Sequence, residues 1–244
     1  MRILTGSLAL GLAFAPWLAA CGAGGSTDID ATLVFADRSD SEIARLISAA
    51  GGADMFQAQS QVDQFGDTFD AEPCPAIAID GNTATVTGGC TRTDGTQILG
   101  SAVIVNPASW DQIDWSGGDS RYELHQLGFV SSGFSQTYDG FIERRDTFST
   151  WDADLTVDSF GVVVRSDIYY HCTNPQSPSC KLSNSGVELV GVGGAQASGT
   201  VEIEGQSQVS DFTLVGVDRL TVHIAGGCVG WQIAGTDRRS ACTN

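Results

Sequence analysis

Positive charge is scarce in this chain. Twelve Lys and Arg residues face 29 Asp and Glu, a formal net charge of −17 over 244 residues, and so acidic a surface repels nucleic acid and anionic headgroups. It favours cations or basic partners, or simply keeps an exposed protein soluble. Activated nucleophiles are missing too. There is no Gly-x-Ser-x-Gly elbow, and no serine or cysteine sits in a context that marks activation. Only one cluster, His171-Cys172 with Cys180, suggests zinc, and no Cys-x-x-Cys supports it. Long apolar runs are absent: the stretch from Ile3 to Trp17 is too short to span a bilayer comfortably as a helix.

That stretch has another reading. Arg2 supplies a positive n-region, Ile3 to Trp17 an apolar h-region, and Leu18-Ala19-Ala20-Cys21 closes it. The tetrapeptide resembles the lipobox of bacterial lipoprotein precursors, a resemblance confined to the first 21 residues. It implies that residues 1–20 are a signal peptide, that Cys21 is lipidated, and that the mature protein stays on the membrane of a bacterial envelope through its acyl chains. Gly22 stands where an Asp would retain the protein at the inner membrane, which implies the outer membrane. With Arg2 removed, eleven basic residues remain against 29 acidic ones, a net charge of −18.

Setting Cys21 aside leaves six cysteines. An even number in an exported chain reads as three disulfides, and local geometry favours Cys74 with Cys90, Cys172 with Cys180, and Cys228 with Cys242. A loop of about 15 residues closed this way is worth roughly 3 kcal/mol in the chain-entropy account.

Residues 21–30 are small and polar, a lipidated tether. Residues 31–72 read as a helical segment packing on a sheet. Thr32 to Phe35 suggests a strand; Ser39-Asp40-Ser41-Glu42 has the capping-box pattern, followed by Ile43, Leu46, Ile47 and Ala50 at helical spacing and a Gly51-Gly52 stop. A weaker helical period runs over 53–65. After Pro73 the period becomes two, so residues 73–244 read as a disulfide-stapled β domain with strands at 75–79, 83–88, 97–105, 121–130, 134–149, 153–157, 161–171, 186–192, 198–204, 207–214, 217–224 and 228–234. Thirty glycines supply the turns. Spacing this short excludes crossover helices, so the fold class is mainly β: an antiparallel sheet of consecutive hairpins, as a sandwich, a barrel-like form or a curved open sheet, with one or two short N-terminal helices.

One hairpin can be written residue by residue. A two-residue loop at Gly81-Asn82 sets Ile77 opposite Val86 and Ile79 opposite Ala84. In that register Cys74 meets Gly89; a bulge at Gly88-Gly89 brings Cys90 opposite and places the cystine on the polar, outer face.

Candidate chemistry is sparse. His125, His171 and His223 each fall inside or beside a predicted strand, where ordinary packing is the default. The carboxylate pairs Asp37/Asp40, Asp111/Asp114 and Asp152/Asp154 are expected by chance among 29 acids. A weak calcium site is Asp111, Asp114 and Asp119 with carbonyls around Ser116-Gly117-Gly118, without EF-hand spacing. Trp231 reads as core, whereas Trp110 and Trp115, in an Asp/Gly-rich loop, are the aromatics placed to bind a ligand. No cofactor is implied. The reading is a non-enzymatic binding or structural lipoprotein whose partner is an envelope protein, a glycan or an apolar ligand. A carrier of lipid or another hydrophobic ligand competes with it, its mark being an apolar cavity of several hundred Å³. An envelope hydrolase is the third reading, its mark a histidine in a cleft within reach of an acid and a serine.

Overall fold

Period-two alternation after Pro73 becomes a single sheet. The computed structural model describes residues 28–51, 53–67, 73–107, 110, 113, 119–173, 179–204, 207–236 and 239–242. Its strands are β1 (Ala76–Asp80), β2 (Thr83–Thr87), β3 (Cys90–Thr91), β4 (Gln97–Val105), β5 (Ser120–Ser131), β6 (Phe134–Arg144), β7 (Phe148–Ser159), β8 (Val162–Thr173), β9 (Ser179–Leu189), β10 (Gly193–Glu204), β11 (Ser207–Val215), β12 (Arg219–Ala225), β13 (Cys228–Ile233) and β14 (Arg239–Cys242). Each pairs antiparallel with its sequence neighbour, except that β2 pairs with β4 and short β3 pairs with β4 alone. Strands β1 and β14 are free edges, so the sheet is open and not a barrel.

The first hairpin has the register its sequence dictates, with Ile77 opposite Val86 and Ile79 opposite Ala84. All three expected disulfides form. The first sits on the other side from expectation: Cys74 is buried in the core, not on the polar surface. The cause is at Gly88-Gly89, where the backbone leaves β2 instead of bulging within it. Gly88 lies so close to the Ile98–Leu99 backbone that no Cβ fits, and Gly89 has φ +87°. Cys90 then pairs with β4.

Two expected strands are cut differently. The run 134–149 is broken by a turn in which the Arg145 N–H donates to the Phe148 carbonyl, and 186–192 is the end of β9 plus its turn. Thr32 to Phe35 is not a strand. A bridge at Ala31–Gly194 and a 3-10 turn at Phe35–Asp37 replace it, because this segment crosses from one face of the sheet to the other. Gly193 and Gly194 make the crossing: Gly194 presents its outward side to Ile29, and Gly193 its inward side to Leu33.

Helix α1 (Asp40–Ala50) starts at the expected capping box, in which the Ser39 hydroxyl accepts from the Glu42 N–H and the Glu42 carboxylate accepts from the Ser39 N–H. That hydrogen bonding holds the Glu42 carboxyl below its ordinary value. Helix α2 (Ala53–Asp67) follows. On α2, Phe65 stacks on Phe129 of β5, Asp63 accepts from the Tyr122 hydroxyl at 2.7 Å, and Gln61 accepts from Gln136 of β6. On α1, Ala50 accepts from Tyr170 of β8, Gly51 just beyond it approaches Phe212 of β11, and Asp40 pairs with Arg239 of β14.

Those contacts require curvature. An eleven-residue helix is about 16 Å long, whereas β8 and β14 are six strand spacings apart, about 29 Å in a flat sheet. The sheet therefore wraps around the helices, and residues from Leu33 to Ile233 share one core.

Candidate functional site

The helices fill most of the concave face. Between α1 and the last three strands they leave a groove of about 330 Å³, at the lower end of the ~300–1,000 Å³ of small-ligand pockets. Ala44, Ile47, Ser48 and Gly51 form its helical wall; Ile224, Val229, Trp231 and Ala241 form the other. The strand side follows from register, since Ile224, Val229 and Ala241 are opposite one another on β12, β13 and β14. None of the eight residues carries a charge, which suits an uncharged, apolar occupant.

Three features hold the groove. The Cys228–Cys242 bridge ties β14 to β13, and the Arg239–Asp40 pair ties β14 to the start of α1. At the far end Gly51 lies beside the Phe212 ring of β11, which a Cβ at that position would touch at ordinary contact distance. One polar group in the wall is unsatisfied. Trp231 is 7% exposed, and its indole N–H is buried without a hydrogen-bond partner. A donor left so costs about 1–3 kcal/mol.

On the outward face, Asp139, Asp154 and Asp167 lie directly opposite one another across β6, β7 and β8. They line a recess with Asp28, Thr156 and Arg165. Burial raises the Asp154 carboxyl above its ordinary value; Arg165 offsets part of this, while Asp139 and Asp28 add to it. Asp152 is raised as well, by burial and then by Asp154. Asp152 and Asp154 thus share one sheet face, without the facing arrangement across a cleft that glycoside hydrolysis needs.

Further along that face, His223 on β12 bonds through Nδ1 to Asp211 of β11 at 2.7 Å, in a shallow groove with Thr221, Gly230 and Gln232. Gly230 is opposite His223, and Ser240 is opposite Gly230. Among the described residues no serine hydrogen-bonds to His223. His171 packs on the Phe148 ring with Nδ1 3.4 Å from the Thr150 hydroxyl, and His125 is exposed on β5.

The loop aromatics need correction. Trp110 is 1% exposed and its ring covers Gly66 of α2, within 2.6 Å of where a Cβ would stand. A ring buried this way cannot stack on a ligand. Trp115, Asp111 and Asp114 lie outside the described residues; Asp119 pairs with Arg145. The described residues include no group of His, Cys, Asp and Glu arranged to hold a metal ion. No sequence signal marks the groove, because its walls are about 180 residues apart in the chain. No protein family, curated protein or solved structure matches the chain.

Proposed function

We propose that this protein is an outer-membrane lipoprotein, anchored through acylated Cys21, whose β domain binds an apolar ligand without chemically transforming it. The groove between α1 and β12–β14 carries the reading. It is uncharged, and the α1 face and the inward sides of β12–β14 that wall it are almost wholly apolar. The ligand that suits these walls is an uncharged hydrocarbon chain.

Photolabelling tests this. The membrane-bound protein is incubated with a photoactivatable fatty acid methyl ester, irradiated, and mapped by peptide mass spectrometry. Label on 44–51 and 229–231, at least tenfold reduced in Ala44→Trp at an unchanged melting temperature, is the expected result. Equal labelling of both proteins overturns the reading.

The Asp211–His223 pair favours a second reading, an envelope hydrolase in which His223 activates Ser240 or a water across Gly230. Turnover of a nitrophenyl ester that disappears in His223→Ala would establish it.

A further inference from the structure

In an antiparallel meander, alternate turns fall at the same end. The β5–β6, β7–β8, β9–β10, β11–β12 and β13–β14 connections all lie on one rim. Five large hydrophobic side chains are exposed among the described residues, and four of them stand on this rim. Phe160 is 85% exposed, Val217 70%, Val192 47% and Val190 45%. From the β7–β8 turn to the β11–β12 turn is four strand spacings, about 19 Å. Four exposed apolar side chains on three neighbouring turns of one rim make that rim a candidate contact surface.

Phe160 is an unusual choice for its turn. Its φ is +52° and that of Gly161 +85°, a pair of left-handed residues for which Asn-Gly is the favoured sequence and a bulky aromatic a poor one. The ring leans over Gly133 and still remains mostly in solvent. Neither the turn nor the core calls for a phenylalanine here.

Rim charges fit the same contact. Asp158 turns its carboxylate to the Gly161 N–H at 2.9 Å, and Asp218 accepts from the Phe35 and Ala36 N–H groups at 2.7 and 2.9 Å. Both carboxylates are engaged with backbone N–H groups, while Asp37 and Arg219 close to Asp218 are exposed. The N-terminal segment crosses this same rim: the Val217 N–H donates to the Leu33 carbonyl at 2.8 Å. Cys21 is seven residues before Asp28, a reach of at most about 25 Å.

We propose that the rim formed by Phe160, Val190, Val192 and Val217 docks onto the lipid surface that holds the Cys21 anchor, standing the strands across the membrane plane. The proposal rests on the lipid-anchor reading above. Acyl chains already give the affinity; the rim fixes the orientation. Ile224 and Val229 of the groove then flank the β12–β13 turn at the end of the sheet away from the lipid.

The test uses the full chain carrying Phe160→Trp or, at the opposite end, Asn82→Trp, reconstituted in phosphatidylcholine vesicles with or without bromine on the upper acyl chain. Emission above that of the unsubstituted protein is read after flotation. The expected result is at least a twofold loss of the added emission in brominated vesicles for Phe160→Trp and no loss for Asn82→Trp. A protein that floats with the Phe160→Trp emission unquenched overturns the docking and leaves the anchor standing; a blue-shifted but unquenched emission does the same and indicates a second copy of this chain on the rim. Failure to float overturns both readings.

Discussion

Tyr170 of β8 donates its phenolic hydrogen to the carbonyl of Ala50, at the end of α1. That carbonyl is among the last four of its helix, which have no intrahelical partner, and Tyr170 is buried, which pushes its phenol far above the ordinary value and keeps it a neutral donor. The bond therefore sets where the C-terminal turn of α1 lies against the sheet, and with it one wall of the groove.

Tyr170→Phe keeps the ring and deletes the donor. It should cost about 1–3 kcal/mol, the penalty for leaving a buried carbonyl unsatisfied. Urea unfolding should show a lower midpoint at an unchanged slope.

Trp231→Phe makes the opposite case. It removes a buried N–H that has no partner, so the loss of packing is offset by relief of about 1–3 kcal/mol, and the unliganded protein should stay within about 1 kcal/mol of the parent. Urea unfolding of the two proteins checks this.

Most of the sheet was legible because the cause is local. Alternation at Ile77, Ile79, Ala84 and Val86 fixes the first hairpin, and the Ser39–Glu42 box fixes the start of α1. The errors arise where distant segments meet. Trp110 sits in an Asp- and Gly-rich loop, the composition of an exposed tip, yet Gly66 on α2 leaves a slot that only the fold reveals. Thr32 to Phe35 has strand composition but is taken by the crossing over Gly193-Gly194. The groove and the rim have no local signature, since each joins turns or walls far apart in sequence.

The crossing gives a sharp prediction. A Cβ at Gly194 would stand 2.4 Å from Ile29 Cγ2 and 2.7 Å from the Asp30 carbonyl oxygen, so Gly194→Ala must displace the N-terminal segment. Overpacking of this kind costs about 1–3 kcal/mol. Protease susceptibility before residue 35 should rise ahead of any global unfolding.

The aspartate row makes stability depend on pH. Asp154 has its folded carboxyl raised above its unfolded value of 3.8, mainly by burial. The folded state therefore binds the proton more tightly, and this group adds stability as pH falls through its folded pKa, levelling off below the unfolded value. Like charges directly opposite in a sheet destabilise by about 0.2–1 kcal/mol. Asp154→Asn should stabilise the protein by that order at pH 7 and by much less near pH 4, as urea unfolding at the two pH values will show.

The Phe160 turn separates folding from docking. A left-handed backbone costs an ordinary L residue about 1–2 kcal/mol, and Asn tolerates it better because its side chain bonds to the local backbone. Phe160 gives up little packing when replaced, being 85% exposed. Phe160→Asn should thus raise stability by about 1 kcal/mol and sharpen the β7–β8 hairpin. The same substitution removes the largest apolar tip from the rim. If the ring is there for the lipid surface, the more stable variant should hold its orientation less firmly, with a broader distribution of order parameters on oriented bilayers. A variant that is less stable than the parent would show instead that the ring stabilises the fold through its contact with Gly133.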